Sequence, residues 1–335
     1  MTRCHPYTLE DICIDAKAPQ EEINALIGKM GAIVLKGLLS KDEVDQMLSD
    51  FQPHLDALGP SGNREQWDGS FFPPTSKKVP GLLGKSDAYV HSMALNPVLN
   101  GIADHALTRR TKTTMSNPER FWSTCRPQLN VTGVLEVNPG GKAQDLHRDD
   151  AIYHDPIRGS DVWDPKQEKS ILALAALTRV TPENGGTLIV PGSHIRSDDL
   201  PPPTYDDAIS VSAEPGDCVV ILCSVYHAGG ANKLEVGEPN SIRTLALCGW
   251  SCGYLKQEEN QYLQLTKEQV MRLPVAAQRL AGWEVSLPYL GYVNWEHPLL
   301  TLGHPRSKVP QLDDLFYDKD QSDERKPFIP SVLSC

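Results

Sequence analysis

The chain has 335 residues, enough to bury one large core or two small ones. Its hydrophobic content of 40% and charged content of 22% are ordinary for a soluble enzyme, and no apolar run is long enough to span a bilayer. The formal net charge of -11 argues against a nucleic-acid partner, because phosphates need a basic surface.

Cysteine usage and the chain ends bear on compartment. The eight cysteines are scattered and contain no Cys-x-x-Cys pair. Residues 1–11 lack the apolar stretch of a signal peptide, and residues 332–335 differ from the Ser-Lys-Leu peroxisomal address. We therefore expect reduced thiols, a cytoplasmic location and no membrane contact. The sequence leaves a homodimer open.

The N-terminal part predicts helices joined by loops. Residues 21–30 read as a helix and residues 32–37 as a short apolar strand. Ser40, with Glu43 three residues on, forms the capping box of a second helix. Asn96, followed by Pro97, predicts the start of a third helix.

Residues 58–85 lie between the second and third helices and show no period. Gly, Pro and Ser are frequent there, and the segment also carries Trp67, Phe71 and Phe72. Irregular segments of this length are often functional. Two interpretations stay open: the aromatic side chains anchor a surface loop, or they form a lid over a bulky apolar substrate.

From residue 127 the pattern changes to strands. Apolar residues alternate over 129–137, which predicts a half-buried strand. Further short apolar runs, bounded by Gly and Pro turns, occupy residues 170–180, 188–190, 208–214, 218–225 and 241–249. Because no helix separates these runs, we expect an antiparallel sandwich or barrel.

The predicted fold class is mainly β: a double-stranded β-helix (jelly-roll, cupin-like) core with flanking N-terminal and C-terminal α-helices. Thr266 and Gln269 cap a C-terminal helix that runs to about residue 281 and is bent at Pro274. Residues 313–326 are dense in charge and predict a solvated tail. We expect one domain over residues 1–335, divided into a helical flank (1–126), the jelly-roll core (127–256) and a C-terminal helix with its tail (257–335).

The chain's chemistry centres on residues 144–150, Gln-Asp-Leu-His-Arg-Asp-Asp. An extended backbone turns His147 and Asp149 to the same side, and His227, at the end of an apolar run, can supply a second imidazole. Two imidazoles and a carboxylate on one face of a metal leave the opposite face open, as in non-haem Fe(II) oxygenases. A simple alternative is that His147 and Asp149 only pair with each other in a loop.

The surrounding motifs resemble one family. His147-Arg148-Asp149 is followed by Thr-Pro-Glu-Asn-Gly-Gly-Thr at 181–187, by Val-Pro-Gly-Ser-His at 190–194, and then by His227 and Arg243. This order resembles that of the phytanoyl-CoA dioxygenase family, which contains Fe(II)/2-oxoglutarate oxygenases, many of them fungal enzymes that tailor natural products. The resemblance extends from about residue 127 to residue 250.

The resemblance implies that iron is bound by His147, Asp149 and His227, which form the catalytic centre. His194 lies in the Pro-Gly-Ser-His turn, where the family uses histidine structurally, and His154 is the other competing imidazole. Asp150 replaces Asp149 only if the strand register slips by one residue. Asp149 also disfavours halogenation, because related halogenases have Gly or Ala at that position.

The resemblance also implies a site for the cosubstrate. Arg243 corresponds to the arginine that grips the distal carboxylate of 2-oxoglutarate, a task suited to a guanidinium. The interval from His227 to Arg243 is long, which we interpret as an enlarged hairpin loop at residues 233–240; Arg179 is the rival cation. Gln144 and Thr187 match family positions that hydrogen-bond the cosubstrate.

The function implied is an Fe(II)- and 2-oxoglutarate-dependent dioxygenase. It would use dioxygen to hydroxylate, desaturate or otherwise oxidise a C–H bond of a small organic molecule, in specialised metabolism such as that of an alkaloid or terpenoid. Alternatives are an acyl-CoA 2-hydroxylase, a cupin-like protein with a non-redox metal such as zinc, and a binding protein with an empty site. A site for a 2-oxo acid distinguishes the oxygenases from the last two.

Overall fold

The computed structural model describes residues 7–59, 76–113, 121–309 and 322. Within them the strands are β1 (Cys13–Asp15), β2 (Ala32–Lys36), β3 (Ser76–Pro80), β4 (Arg109–Thr113), β5 (Phe121–Cys125), β6 (Pro127–Val137), β7 (Ser170–Ala176), β8 (Leu188–Ile189), β9 (Ile209–Ser210), β10 (Cys218–Leu222), β11 (His227–Ala228) and β12 (Arg243–Cys252). The α-helices are α1 (Gln20–Met30), α2 (Lys41–Asp56), α3 (Asp87–Tyr89), α4 (Pro97–Leu107), α5 (Gln261–Gln264), α6 (Lys267–Arg272), α7 (Val275–Leu280) and α8 (Pro298–Leu302).

Two sheets build the centre of the molecule. The larger has the strand order β1-β2-β10-β7-β12-β6-β3 and is antiparallel except for the β1–β2 pair. The smaller has the order β11-β8-β9, and β4 pairs with β5 apart from both. One cavity is lined by β3, β6, β7 and β12 of the larger sheet and by β11 of the smaller one, so the two sheets enclose it between them. This is the layout of a jelly roll.

The register of the large sheet determines which side chains face the cavity. Leu135 on β6 pairs with Leu245 on β12, and Val137 pairs with Arg243. Directly paired residues on neighbouring strands point to the same face of a sheet. All four side chains line the cavity. Arg243 is therefore the one charged residue among these four.

Helices cover the outside of the large sheet. The capping box predicted at Ser40 and Glu43 is present at the start of α2, whose buried face is formed by Val44, Met47, Phe51 and Leu55. This spacing of three and four residues produces a single apolar stripe. Burial of such side chains contributes about 1.5–3 kcal/mol each. A single cluster of buried apolar residues extends from Ile12 to Val309.

The structure corrects several predicted elements. The C-terminal helix is two helices, α6 and α7, because Pro274 has no N–H and the preceding Leu273 is extended, with ψ of 146°. The strand predicted over 208–214 is reduced to Ile209–Ser210, and the one predicted over 218–225 ends at Leu222. Here a turn, in which the Val225 N–H donates to the Leu222 carbonyl, redirects the chain.

The segment expected to be irregular at 58–85 contains a strand, β3, which forms the edge of the large sheet. Trp67, Phe71 and Phe72 lie outside the described residues, so the lid stays a hypothesis. Of the predicted tail at 313–326, only Ser322 is described. None of the helices in the described ranges is both long and apolar enough to cross a membrane.

Candidate metal centre

His147 and His227 are brought together by the backbone. Each donates its N–H to the other's carbonyl at 3.0 Å, which makes them an isolated antiparallel bridge beside β11. Their imidazole centroids are 4.6 Å apart. The pairing explains why two histidines far apart in the sequence share one site: His227 begins strand β11, and the loop after β6 carries His147.

Asp149 lies between the two imidazoles. Its carboxylate oxygens are 3.5 Å from Nε2 of His147 and 3.4 Å from Nε2 of His227. One donor atom from each of the three residues lies within 4.8 Å of the others. Burial alone would raise the pKa of Asp149, but the imidazoles of His227 and His147 outweigh it and hold that pKa below its ordinary value. The carboxylate is therefore ionised and available as a ligand near neutral pH.

Backbone carbonyls orient both imidazoles. Nδ1 of His147 lies 2.7 Å from the carbonyl oxygen of Asp145, and Nδ1 of His227 lies 3.0 Å from that of Val225. A carbonyl can only accept, so each Nδ1 donates its proton there and Nε2 of each ring is left on the side of the Asp149 carboxylate. Against the effect of burial, Asp149 raises the pKa of His227, and a metal bound at Nε2 would take the place of the proton there. Carbonyl groups that orient imidazoles in this way are typical of histidines that ligate a metal.

The competing residues lie elsewhere. His194 is 4% exposed, its Nε2 hydrogen-bonds the Gly28 carbonyl at 3.0 Å, and burial lowers its pKa to about 4. His154 is exposed, at the end of a 3-10 turn, with φ of 55°. Asp150 is buried, but it does not line the cavity. None of these three belongs to the cluster of donor atoms.

Arg243 lies in the wall of the same cavity and is 2% exposed. Its Nη1 donates to the Gly185 carbonyl, and its Nε has no hydrogen-bond partner. No ion pair between Arg243 and a carboxylate is found within the described ranges, and burial lowers its pKa to about 10. A buried cation is costly without a counter-ion, so this guanidinium is suited to receiving an anionic group. Arg179, the rival, is exposed and pairs with Glu214 at 3.1 Å.

Gln144 and Thr187 both line the cavity. Oε1 of Gln144 accepts the Gly229 N–H at 2.7 Å, and the Gln144 N–H donates to the Gly229 carbonyl at 2.9 Å. These two hydrogen bonds hold Gln144 in the wall of the cavity. Thr187 is buried and directly precedes β8.

Close backbone packing requires the two glycines of the Asn-Gly-Gly turn. A Cβ at Gly186 would lie 2.2 Å from the Val211 carbonyl oxygen, and a Cβ at Gly185 would lie 2.6 Å from that of Gly230. Gly185 also has φ of +91°, which favours glycine. These contacts hold the Gly185 carbonyl where it accepts the hydrogen bond from Arg243.

The cavity around this centre has a volume of about 130 Å³. Its walls are largely aliphatic, formed by Val131, Leu135, Val137, Ile171, Leu172, Leu174, Leu245 and Leu247. Lys78, Asn130, Ile152 and Glu258 also line it. The sequence analysis missed these four. The register of β3 places Lys78 in the wall, and the bulge in β6 places Asn130 there. Ile152 lies in the 3-10 turn after the His147 motif, and Glu258 lies in the loop after β12.

An antiparallel double-sheet fold with two imidazoles and a carboxylate facing a cavity defines a metal-dependent oxygenase class. Residues 28–234 match the model of the family described as Phytanoyl-CoA dioxygenase (PhyH), and the chain belongs to this family.

Curated relatives agree with this assignment. The chain is 31% identical to dioxygenase cnsJ of Penicillium expansum over 296 residues, which covers 88% of this chain and 85% of the relative. It is 28% identical to dioxygenase peniF of Penicillium patulum, with 85% of this chain and 89% of the relative covered. The predicted family and the predicted enzyme class, a dioxygenase, are confirmed.

Among solved structures, the chain is similar to the non-heme alpha ketoglutarate dependent carbocyclase SnoK from nogalamycin biosynthesis. The TM-score is 0.51 at 19% sequence identity, with 76% of this chain and 93% of that chain covered. At this identity the likeness concerns the fold, and it confirms the predicted fold class.

Proposed function

We propose that this enzyme binds Fe(II) through His147, Asp149 and His227. The observation that carries the proposal is the convergence of their donor atoms within 4.8 Å, beside a buried arginine that has no carboxylate partner among the described residues. The donor set fits the metal: imidazole nitrogen and carboxylate oxygen suit Fe(II), and three ligands leave positions open for other groups. The expected cofactors are therefore Fe(II), 2-oxoglutarate and dioxygen.

We assign the cosubstrate site to Arg243, with Gln144 and Thr187 as hydrogen-bonding partners. The Arg243 guanidinium lies in the wall of the cavity that holds the three donor atoms, so a small dicarboxylate can contact both. A bidentate ion pair with the distal carboxylate would compensate the cost of burying the cation. Zinc enzymes and binding proteins have no need of this second anion site, which favours the oxygenase over both alternatives.

When bound, iron with 2-oxoglutarate and dioxygen supplies the oxidising power to break a C–H bond. The chain's own residues orient the metal ligands and keep water away from the reacting groups. Asp145 and Val225 carbonyls hold the two imidazoles with Nε2 towards the metal position, and the aliphatic walls exclude water from the reacting groups. We propose a small organic substrate of specialised metabolism, of alkaloid or terpenoid type, in preference to an acyl-CoA.

The decisive test is anaerobic addition of Fe(II) and 2-oxoglutarate to the purified protein. A chelate of the two in this site should produce a weak visible absorption band that disappears when either is omitted. Absence of the band, with Fe(II) and 2-oxoglutarate both present in excess, would contradict the proposal. One domain over residues 1–335, a cytoplasmic location and a homodimer stay predictions; mass in solution tests the last.

A further inference from the structure

Two adjacent glutamates in the loop after β12, Glu258 and Glu259, differ in the hydrogen bonds that their carboxylates make. The Glu259 carboxylate accepts hydrogen bonds from the Gly81 N–H at 2.6 Å, the Thr132 N–H at 2.9 Å, the Thr132 hydroxyl at 2.7 Å and Nε2 of Gln261 at 2.7 Å. The Glu258 carboxylate makes neither a hydrogen bond nor an ion pair with any residue in the described part of the chain. It lines the cavity of the metal centre together with Asp149. Glu259 therefore fixes the loop, and Glu258 is presented to the cavity.

A β-bulge fixes the backbone of Glu258. The β6–β12 register shifts between Gly249 and Trp250, which pair with Val131 and Leu129, so Asn130 is the extra residue. Bulges near active sites re-aim side chains. Oδ1 of Asn130 accepts the Glu258 N–H at 2.9 Å, and the Asn130 carbonyl accepts the Glu259 N–H at 3.0 Å.

We infer that Glu258 is a substrate-recognition residue that accepts a hydrogen bond from an N–H group of the substrate, an amine or an amide. The inference rests on the proposed function, because it places the N–H group in the cavity where the C–H bond is oxidised. Glu258 is exposed to solvent and lines the cavity, and its carboxylate gains a charge-assisted hydrogen bond when such a donor arrives. The apolar body of the substrate would contact the aliphatic walls and Ile152, which lines the cavity although its side chain is 51% exposed.

The other charged groups of the cavity either have another role in the loaded enzyme or carry a positive charge. In the loaded enzyme Asp149 would face the metal and Arg243 the cosubstrate. Lys78 and Lys142 are the remaining cations among the described lining residues, and Glu258 is the remaining anion. Burial raises the pKa of Glu258, and the charge of Lys78 lowers it. The two lysines would favour an acidic substrate, so an acid and an amine are the informative comparison.

The experiment uses three probes with one apolar body: 2-naphthylmethylamine, 2-naphthylmethanol and 2-naphthoate. Their dissociation constants are measured by equilibrium dialysis against the full chain loaded with Zn(II) and 2-oxoglutarate. The amine should bind most tightly, and Glu258→Gln should weaken it roughly tenfold or more while naphthoate is not weakened. The matched control is Glu238→Gln, an exposed glutamate outside the cavity, which should change nothing.

To test whether the amine binds near the metal position, Zn(II) is replaced with paramagnetic Mn(II), which should broaden the proton NMR signals of the bound amine. Tighter binding of naphthoate than of the amine, an unchanged amine affinity in Glu258→Gln, or no broadening would each overturn the inference. These failures differ from failure of the proposed function. If the Fe(II) and 2-oxoglutarate absorption band forms but the amine preference is absent, only the role of Glu258 is wrong.

Discussion

His147 and His227 lie directly opposite each other, joined by two backbone hydrogen bonds of 3.0 Å. In such an antiparallel pair the two side chains leave on the same face. The distance between the imidazoles therefore depends on backbone pairing. Asp149 is fixed independently, because its N–H donates to the Cys223 carbonyl at 3.0 Å.

The first prediction concerns the metal ligands. His147→Ala, Asp149→Ala and His227→Ala should each lose stoichiometric Fe(II) binding and turnover, because each removes one of three donors. Iron content after anaerobic loading, with circular dichroism to check folding, measures this. His154→Ala is the matched control, since this exposed imidazole is outside the donor cluster. Full iron binding in any of the three variants would remove that residue from the site.

The second prediction separates the cosubstrate from the metal. Arg243→Ala should keep Fe(II) binding but weaken 2-oxoglutarate binding by about 2–5 kcal/mol, because a buried carboxylate loses its charged partner. Arg243→Lys should recover only part of the lost affinity for 2-oxoglutarate, since a point charge does not reproduce the planar guanidinium. Titration of the visible band with 2-oxoglutarate gives the affinities. Arg179→Ala should behave as wild type; a loss there instead would transfer the role to Arg179.

The third prediction concerns pH and His194. Its pKa of about 4 in the folded protein lies below the ordinary value of about 6.5, so the unfolded chain binds more protons between these limits. Stability from this residue is complete above pH 6.5 and decreases as the pH falls towards 4, by on the order of 3 kcal/mol. His194→Gln, which cannot titrate, should flatten the pH dependence of the unfolding free energy in this window. Equal slopes in the two proteins would contradict this.

The fourth prediction concerns the Asn-Gly-Gly turn. Gly186→Ala should lower the unfolding free energy by at least about 2 kcal/mol, because the added Cβ would lie 2.2 Å from the Val211 carbonyl oxygen. Gly133→Ala is the control: its Cβ would meet ordinary contacts, 3.6 Å from the Val79 carbonyl oxygen, in strand β6. Denaturant unfolding of both variants measures the difference. Equal losses would show that close packing at Gly186 is not the cause.

The sequence by itself predicted the fold class, and it supplied the candidate site residues that we propose. Short apolar runs bounded by Gly and Pro predict antiparallel strands because backbone geometry and burial are local properties of such runs. The candidate ligands were recognisable because the motifs around His147, Asp149 and His227 resemble those of the phytanoyl-CoA dioxygenase family. Capping at Ser40 is equally local, since both partners lie within one helical turn.

Only the tertiary structure decided which distant groups meet. Arg243 and Arg179 are both strand-region cations in the sequence, and the pairing of β12 with β6 buries the first while the second stays in solvent. Glu258 and Glu259 are chemically identical neighbours, and within the described ranges hydrogen bonds from other segments engage the carboxylate of Glu259 and not that of Glu258. Such differences depend on long-range register, in which a shift of one residue reverses the face that a side chain occupies. That register depends on how strands far apart in the sequence pair with one another.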